Sequence, residues 1–199
     1  RVIRDYVMTK RRYLLFLIPC ILLLGMLLWR ATAHRHHWDL QNLKMETTDW
    51  NLEPISREEA LTLDRELSAA DQKNLPQDME LLEADALAET GKPVTYYRFT
   101  GSFSFRGEAD VEGTVTTLVL VAQTEKPYFY AIRQPLSNVV CKHGDVSWTQ
   151  MSSHSDIPVW NPQSARIDVV GYLAVPTGNP EAPEELSENL HPAYTVILE

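Results

Sequence analysis

The residues best equipped for chemistry are His34, Arg35, His36 and His37. On a helix His34 and His37 stand at i and i+3, a spacing at which two imidazoles can share zinc, copper or haem iron. Such a site needs a third protein ligand, and no residue can be named for that role. The plainer reading is a basic collar that faces lipid headgroups or a partner. A second group is Cys141-Lys142-His143 with His154. It holds the residue types of a Cys–His nucleophile, but no orienting third group or oxyanion loop accompanies it. CKHGD reads instead as a turn between strands with Gly144 at its tip. GxSxG, GxxxxGK[ST] and HExxH do not occur. We therefore expect no catalytic residues, no cofactor, no metal and no small-molecule substrate, and not an enzyme.

What positions the histidines is the run before them. Residues 13–29 form 17 consecutive positions without a charge, at the short end of what a helix needs to cross ~30 Å of hydrocarbon. Lys10, Arg11, Arg12 and Arg30 can snorkel and extend that reach. Tyr13 and Trp29 stand where interfacial aromatics belong. Pro19 and Gly25 are tolerated inside a membrane helix. The expectation is a basic inner-side tail over residues 1–12 and a transmembrane helix over residues 13–33. Arg1, Arg4, Lys10, Arg11 and Arg12 precede the run, against Arg30, Arg35 and Lys44 beyond it. The positive-inside rule then places the N-terminus in the cytoplasm or mitochondrial matrix. On that placement Trp29, Arg30, His34, Arg35, His37 and Trp38 make the partner or membrane contact.

Charge divides the chain the same way. Residues 1–37 carry a balance of +6 and residues 38–199 a balance of −15. A surface that acidic repels phosphate backbones, so nucleic acid is not an expected ligand. Cys20 lies in the apolar run and Cys141 stands alone beyond it, which excludes a disulfide framework.

Beyond the run, residues 34–92 read as a polar helical arm or linker. Ser56 before Arg57-Glu58-Glu59 is a helix N-cap, and Gly91 is a stop. The leucines of this arm look scattered, as on surface helices that form no core. From residue 93 the pattern becomes strand-like: VTYYRFTGSFSF, VEGTVTTLVLVAQ, PYFYAIRQPL, DVSWTQMS, ARIDVVGYLAV and AYTVILE. Tyr97, Phe99, Gly101, Phe103 and Phe105 alternate onto one strand face. Tyr96, Tyr128, Phe129 and Tyr130 join them as expected sheet core. Residues 176–192, rich in Pro and Glu, read as a long loop with a helical turn. The expected fold class is α+β: one transmembrane helix, a helical arm, and a small antiparallel β-sheet or barrel domain over residues 93–199.

The order of these pieces resembles the Surfeit-locus assembly-factor family of cytochrome c oxidase. That family's first membrane helix ends in a Gly, then Trp and Arg, matched here by Gly25, Trp29 and Arg30. Its arm carries a proline before the domain, as in NLEPIS. Its first strand is matched by Tyr97-Arg98-Phe99-Thr100-Gly101-Ser102-Phe103. A TPL strand before a turn resembles RQPLSNVVCKHGD, with Pro135, Leu136, Gly144 and Asp145. A V-x-G-x-L strand resembles Asp168-Val169-Val170-Gly171-Tyr172-Leu173, and PAYTVILE resembles the family's last strand. The family's N-R-G-W-[VI]-P run is replaced by Ser147-Trp148-Thr149-Gln150, and its closing membrane helix has no counterpart within residues 1–199. The resemblance thus implies a divergent member. It implies a single-pass protein of the mitochondrial inner membrane, with its N-terminus in the matrix and a β-rich domain in the intermembrane space. The implied role is an assembly factor or stably bound accessory subunit of the respiratory-chain oxidase, working by protein contact. From another class, the same layout would suit a single-span periplasmic scaffold of a bacterial secretion or division apparatus, held in the bacterial inner membrane.

Overall fold

In LVLVA, which closes GTVTTLVLVA, apolar residues follow one another instead of alternating, the pattern of a strand covered on both faces. The computed structural model, which describes residues 38–40, 42–70, 78–106, 108–142 and 146–198, shows why. This segment lies in the centre of a sheet with helices on one side and a second sheet on the other. Leu118, Val119, Leu120, Val121 and Ala122 are all buried.

The first sheet contains β1 (Met45–Ile55), β2 (Val94–Phe105), β3 (Glu108–Ala122), β4 (Tyr128–Ile132) and β5 (Leu136–Cys141). β1, β2 and β3 are adjacent, and the far edge of β3 is shared by two short strands. β5 pairs along Val111 to Thr116 and β4 along Val119 to Ala122. The second sheet repeats this plan around a long central strand. It contains β6 (Ser147–Asp156), β7 (Ser164–Asn179), β8 (Ala182–Leu186) and β9 (Ala193–Ile197). β6 takes one edge of β7, while β9 and β8 divide the other. All of these pairings are antiparallel.

Two helices, α1 (Arg57–Ala70) and α2 (Met79–Thr90), cover part of the outer face of the first sheet. Ser56 closes a capping box: its hydroxyl accepts from the Glu59 N–H at 3.2 Å, and the Glu59 carboxylate accepts from the Ser56 N–H at 2.8 Å. Asp78 caps α2, and Gly91 ends it at φ 70°, a conformation that costs glycine nothing. Ala60, Leu63 and Leu67 on α1, with Met79, Leu82 and Ala86 on α2, fall at i, i+3 and i+7. They form one cluster with Val94, Leu118 and Leu120. The arm expected to form no core therefore does build one. Two of its six core positions are alanines, so the leucines alone hide the stripe.

The two sheets meet through aromatic rings seated on glycines. Phe103 on β2 lies across Gly113 of β3, where a Cβ would come within 2.1 Å of the ring. Trp148 on β6 lies across Gly171 of β7, with the corresponding approach at 2.3 Å. The Phe103 and Trp148 rings then face one another at 5.7 Å, so one column runs from sheet to sheet. A second contact lies beside it. Tyr194 of β9 covers Gly101, meets Phe99 edge-on at 5.5 Å and donates its hydroxyl to the Ser102 carbonyl at 2.8 Å. Burial pushes the Tyr194 phenol well above its ordinary pKa.

Polar pins tie the layers together. Gln150 accepts from the Ser137 N–H and hydroxyl through Oε1 and donates to the Pro135 carbonyl, while the Trp148 indole N–H donates to Ser137 Oγ. On the helical side, Arg57 donates two hydrogen bonds to Glu83, and the Tyr96 hydroxyl donates to the same carboxylate at 2.6 Å. The Arg57 hydrogen bond chiefly holds the Glu83 carboxyl below its usual range, and the Tyr96 bond adds to this. Burial, then the Glu83 hydrogen bond, pushes the Tyr96 phenol up to about 12. A depressed carboxyl contributes stability that is present above its unfolded pKa and lost as pH falls through its folded value. A raised phenol contributes stability present below its unfolded pKa and lost as pH rises toward its folded one. Glu83→Gln is therefore expected to flatten the acid limb of stability below about pH 4.3, the unfolded glutamate value. Urea midpoints across that range measure it, and an acid limb as steep as the parent's would refute the assignment.

The expected α+β class is corrected: the described residues are mostly strand, in two antiparallel sheets carrying two helices. Within the segment expected as a helical arm or linker, Met45–Ile55 is instead a strand paired to β2 from Met45↔Phe105 to Ile55↔Tyr96. METTDWNLEPI contains Pro54, three acids and no clean alternation. It is an edge strand exposed along most of its length, and its conformation comes from the ladder and not from its composition. Likewise residues 176–192 are not a long loop. β7 continues to Asn179 and returns as β8, whose five residues are all exposed. Pro183 and the glutamates of that edge discourage further pairing. No helix among the described residues is long and apolar enough to cross a membrane. The span expected at residues 13–33 lies outside the described residues.

Candidate contact surface

Of the residues expected to meet a membrane or partner, Trp29, Arg30, His34, Arg35 and His37 lie outside the described residues. Trp38 is described, and it is buried, at 8% exposure. Cys141, free and half-buried, ends β5. His154 is exposed on β6, and Lys142 stands 3.8 Å from the Glu112 carboxylate. His143 lies outside the described residues. Among the described residues no group of three or more His, Cys, Asp and Glu is arranged to hold a metal.

The aromatic residues divide by type. Phe99, Phe103, Phe105 and Phe129 are buried, as core. Tyr96, Tyr97, Tyr128 and Tyr130 are half-buried. Tyr96 and Tyr130 pack against the helix cluster, and Tyr128 donates to Glu89 at 3.1 Å. The Tyr96 and Tyr128 hydroxyls thus each reach a carboxylate, the polar end that a half-buried phenol keeps.

Among the described residues the most exposed large apolar side chains are Val159 and Trp160, 96% and 86% exposed, in the connection between β6 and β7. Sequence reasoning passed over them. The signal was present in IPVWNP, a tryptophan set among turn-forming prolines and an asparagine where no strand face needs an indole. The Asn161 N–H donates to the Pro158 carbonyl at 2.9 Å, closing a turn with Val159 and Trp160 at its centre. The Ser164 N–H donates to the Asn161 carbonyl at 3.0 Å and closes a second turn, with Pro162 at the position proline favours. The base of this double turn is held from two sides. The Phe129 N–H of β4 donates to the Pro162 carbonyl at 2.8 Å, and the Leu198 N–H beyond β9 donates to the Gln163 carbonyl at 2.9 Å. Gln163 Nε2 also donates to the Pro127 carbonyl at 3.3 Å. The result is an apolar tip on a fixed base.

Nothing in the frame explains that tip. The other aromatic anchors of the second sheet, Trp148 and Tyr194, point into the junction between the sheets, and both spend their polar atoms on hydrogen bonds. Trp160 packs into neither sheet. An indole left in water forgoes ~25 cal/mol for each Å² it could bury. A large exposed aromatic is a recurring mark of a surface that meets another. Compared with family models, with curated proteins and with solved structures, the chain matches none.

Proposed function

We propose that this chain is a membrane-anchored contact protein of the respiratory chain, serving cytochrome c oxidase as an assembly factor or as a stably bound accessory subunit. The observation that carries the contact reading is the 158–161 turn. It presents Val159 and Trp160 to an apolar surface that lies outside the domain. Polar groups elsewhere in the domain agree: Arg133 with Asp64, Glu83 with Arg57 and Tyr96, and Gln150 with Ser137 are spent on holding the layers together. The choice of complex rests on the sequence resemblance. Its strands fall at structurally decisive places: Gly101, Phe103 and Gly171 all lie in the junction between the sheets. The anchor in this reading is the apolar run of residues 13–29, with the N-terminus in the matrix and the β-rich domain in the intermembrane space.

The test is extraction of the source membrane in a mild detergent, native separation, and mass spectrometry of the band that holds this chain. Co-migration with the oxidase core subunits is the expected result. Migration as a free chain, or with an unrelated complex, would remove the proposal.

A further inference from the structure

We infer that the surface receiving the 158–161 turn is the interfacial region of a zwitterionic lipid bilayer, into which Val159 and Trp160 insert. This deepens the contact reading above and rests on it for the anchoring of the chain.

The shape of the turn is the first argument. Two adjacent side chains at 96% and 86% exposure are uncovered from every direction, so the tip is convex. A protein partner would need a matching deep pocket for both groups. The ester region of a bilayer accommodates a convex apolar tip without one. Tryptophan is the side chain that prefers this region, because its ring enters the apolar layer while its N–H remains with polar headgroups.

Charge is the second argument, and it selects the lipid. Residues 157–165 carry no charge, although Asp156 and Arg166 flank them. The tip can therefore enter without dragging an ion out of water, which is costly in hydrocarbon. The domain as a whole carries −15 over residues 38–199, so an anionic surface would repel it. A neutral headgroup layer does not.

Rigidity is the third. The three hydrogen bonds from the β4 and β9 sides fix the base, so little ordering remains to oppose insertion. Chain continuity assists as well, since Asp39 follows Trp29 by only ten positions. A weak foothold becomes effective when the anchor already holds the domain near its bilayer.

The experiment uses the full chain reconstituted in phosphatidylcholine vesicles, with ordinary or brominated acyl chains. The emission of Trp160 is taken as the difference between the parent and Trp160→Phe in each lipid. The expected result is a blue-shifted difference spectrum that loses most of its intensity in the brominated lipid, and that recovers when anionic phosphatidylglycerol replaces much of the phosphatidylcholine. A difference spectrum typical of indole in water, equal in both lipids, overturns the inference. The two proposals fail separately. If the parent co-migrates with the oxidase while Trp160 stays in water, the oxidase assignment stands and the lipid inference falls. If Trp160 is quenched while the parent migrates alone, insertion stands and the oxidase assignment falls.

Discussion

Replacing Phe103 by alanine is expected to lower the stability of the β-rich domain by about 3–5 kcal/mol, the range for truncating a buried phenylalanine. Phe103 is 1% exposed. Its ring rests on Gly113, faces Trp148 at 5.7 Å and meets Phe105 edge-on at 5.8 Å. Removing the ring opens a void between the sheets in the Phe103–Trp148 column that joins them. The complementary change is Gly171→Ala. Its new Cβ would stand 2.3 Å from the Trp148 ring and 2.7 Å from the Thr149 carbonyl. The carbonyl is backbone and cannot move aside, so the ring and the strand must both shift, at about 1–3 kcal/mol. Urea midpoints at unchanged m-value measure both changes. A loss below about 1 kcal/mol for Phe103→Ala, the effect of an average substitution, would show that the sheets are held together elsewhere.

Asp64→Ala is expected to cost about 3–5 kcal/mol, because it leaves a nearly buried cation without its partner. Asp64 on α1 and Arg133, between β4 and β5, are 15% and 10% exposed, with Nε to Oδ1 at 2.5 Å and Nη2 to Oδ2 at 3.4 Å. The backbone of Arg133 is itself fixed: its N–H donates to the Leu118 carbonyl, and its own carbonyl accepts from the buried Thr117 hydroxyl. The guanidinium therefore has little freedom to swing out toward water. Combining Asp64→Leu with Arg133→Met should restore most of the loss, since an apolar pair of similar volume avoids the desolvation of both ions. Equal losses in the single and double variants would refute the assignment of the cost to an unpaired buried cation.

Local chemistry settled several elements outright. The capping box at Ser56 and Glu59 and the stop at Gly91 are readable because each is satisfied within four residues of itself. Residues 94–105 read as a strand, and the structure's bounds are Val94–Phe105, because the Phe99, Phe103 and Phe105 face must be buried and β-period alternation permits one way of doing it. The unbroken apolar run in β3 likewise announces a strand with two covered faces. What such reasoning could not supply is partnership. Met45–Ile55 and Ala182–Leu186 are strands because β2 and β7 offer them ladders, and their own residues would as readily form loops. Alanines at positions 60 and 86 become core only when a sheet approaches closely enough to make small side chains the right size. The candidate contact surface divides in the same way. Amino-acid order alone shows that residues 157–165 are uncharged and turn-forming. That Trp160 stands free of both sheets, while Trp148 and Tyr194 are drawn between them, depends on how the layers stack. Burial is a property of what lies opposite a side chain, and one strand's sequence carries no information about the other sheet.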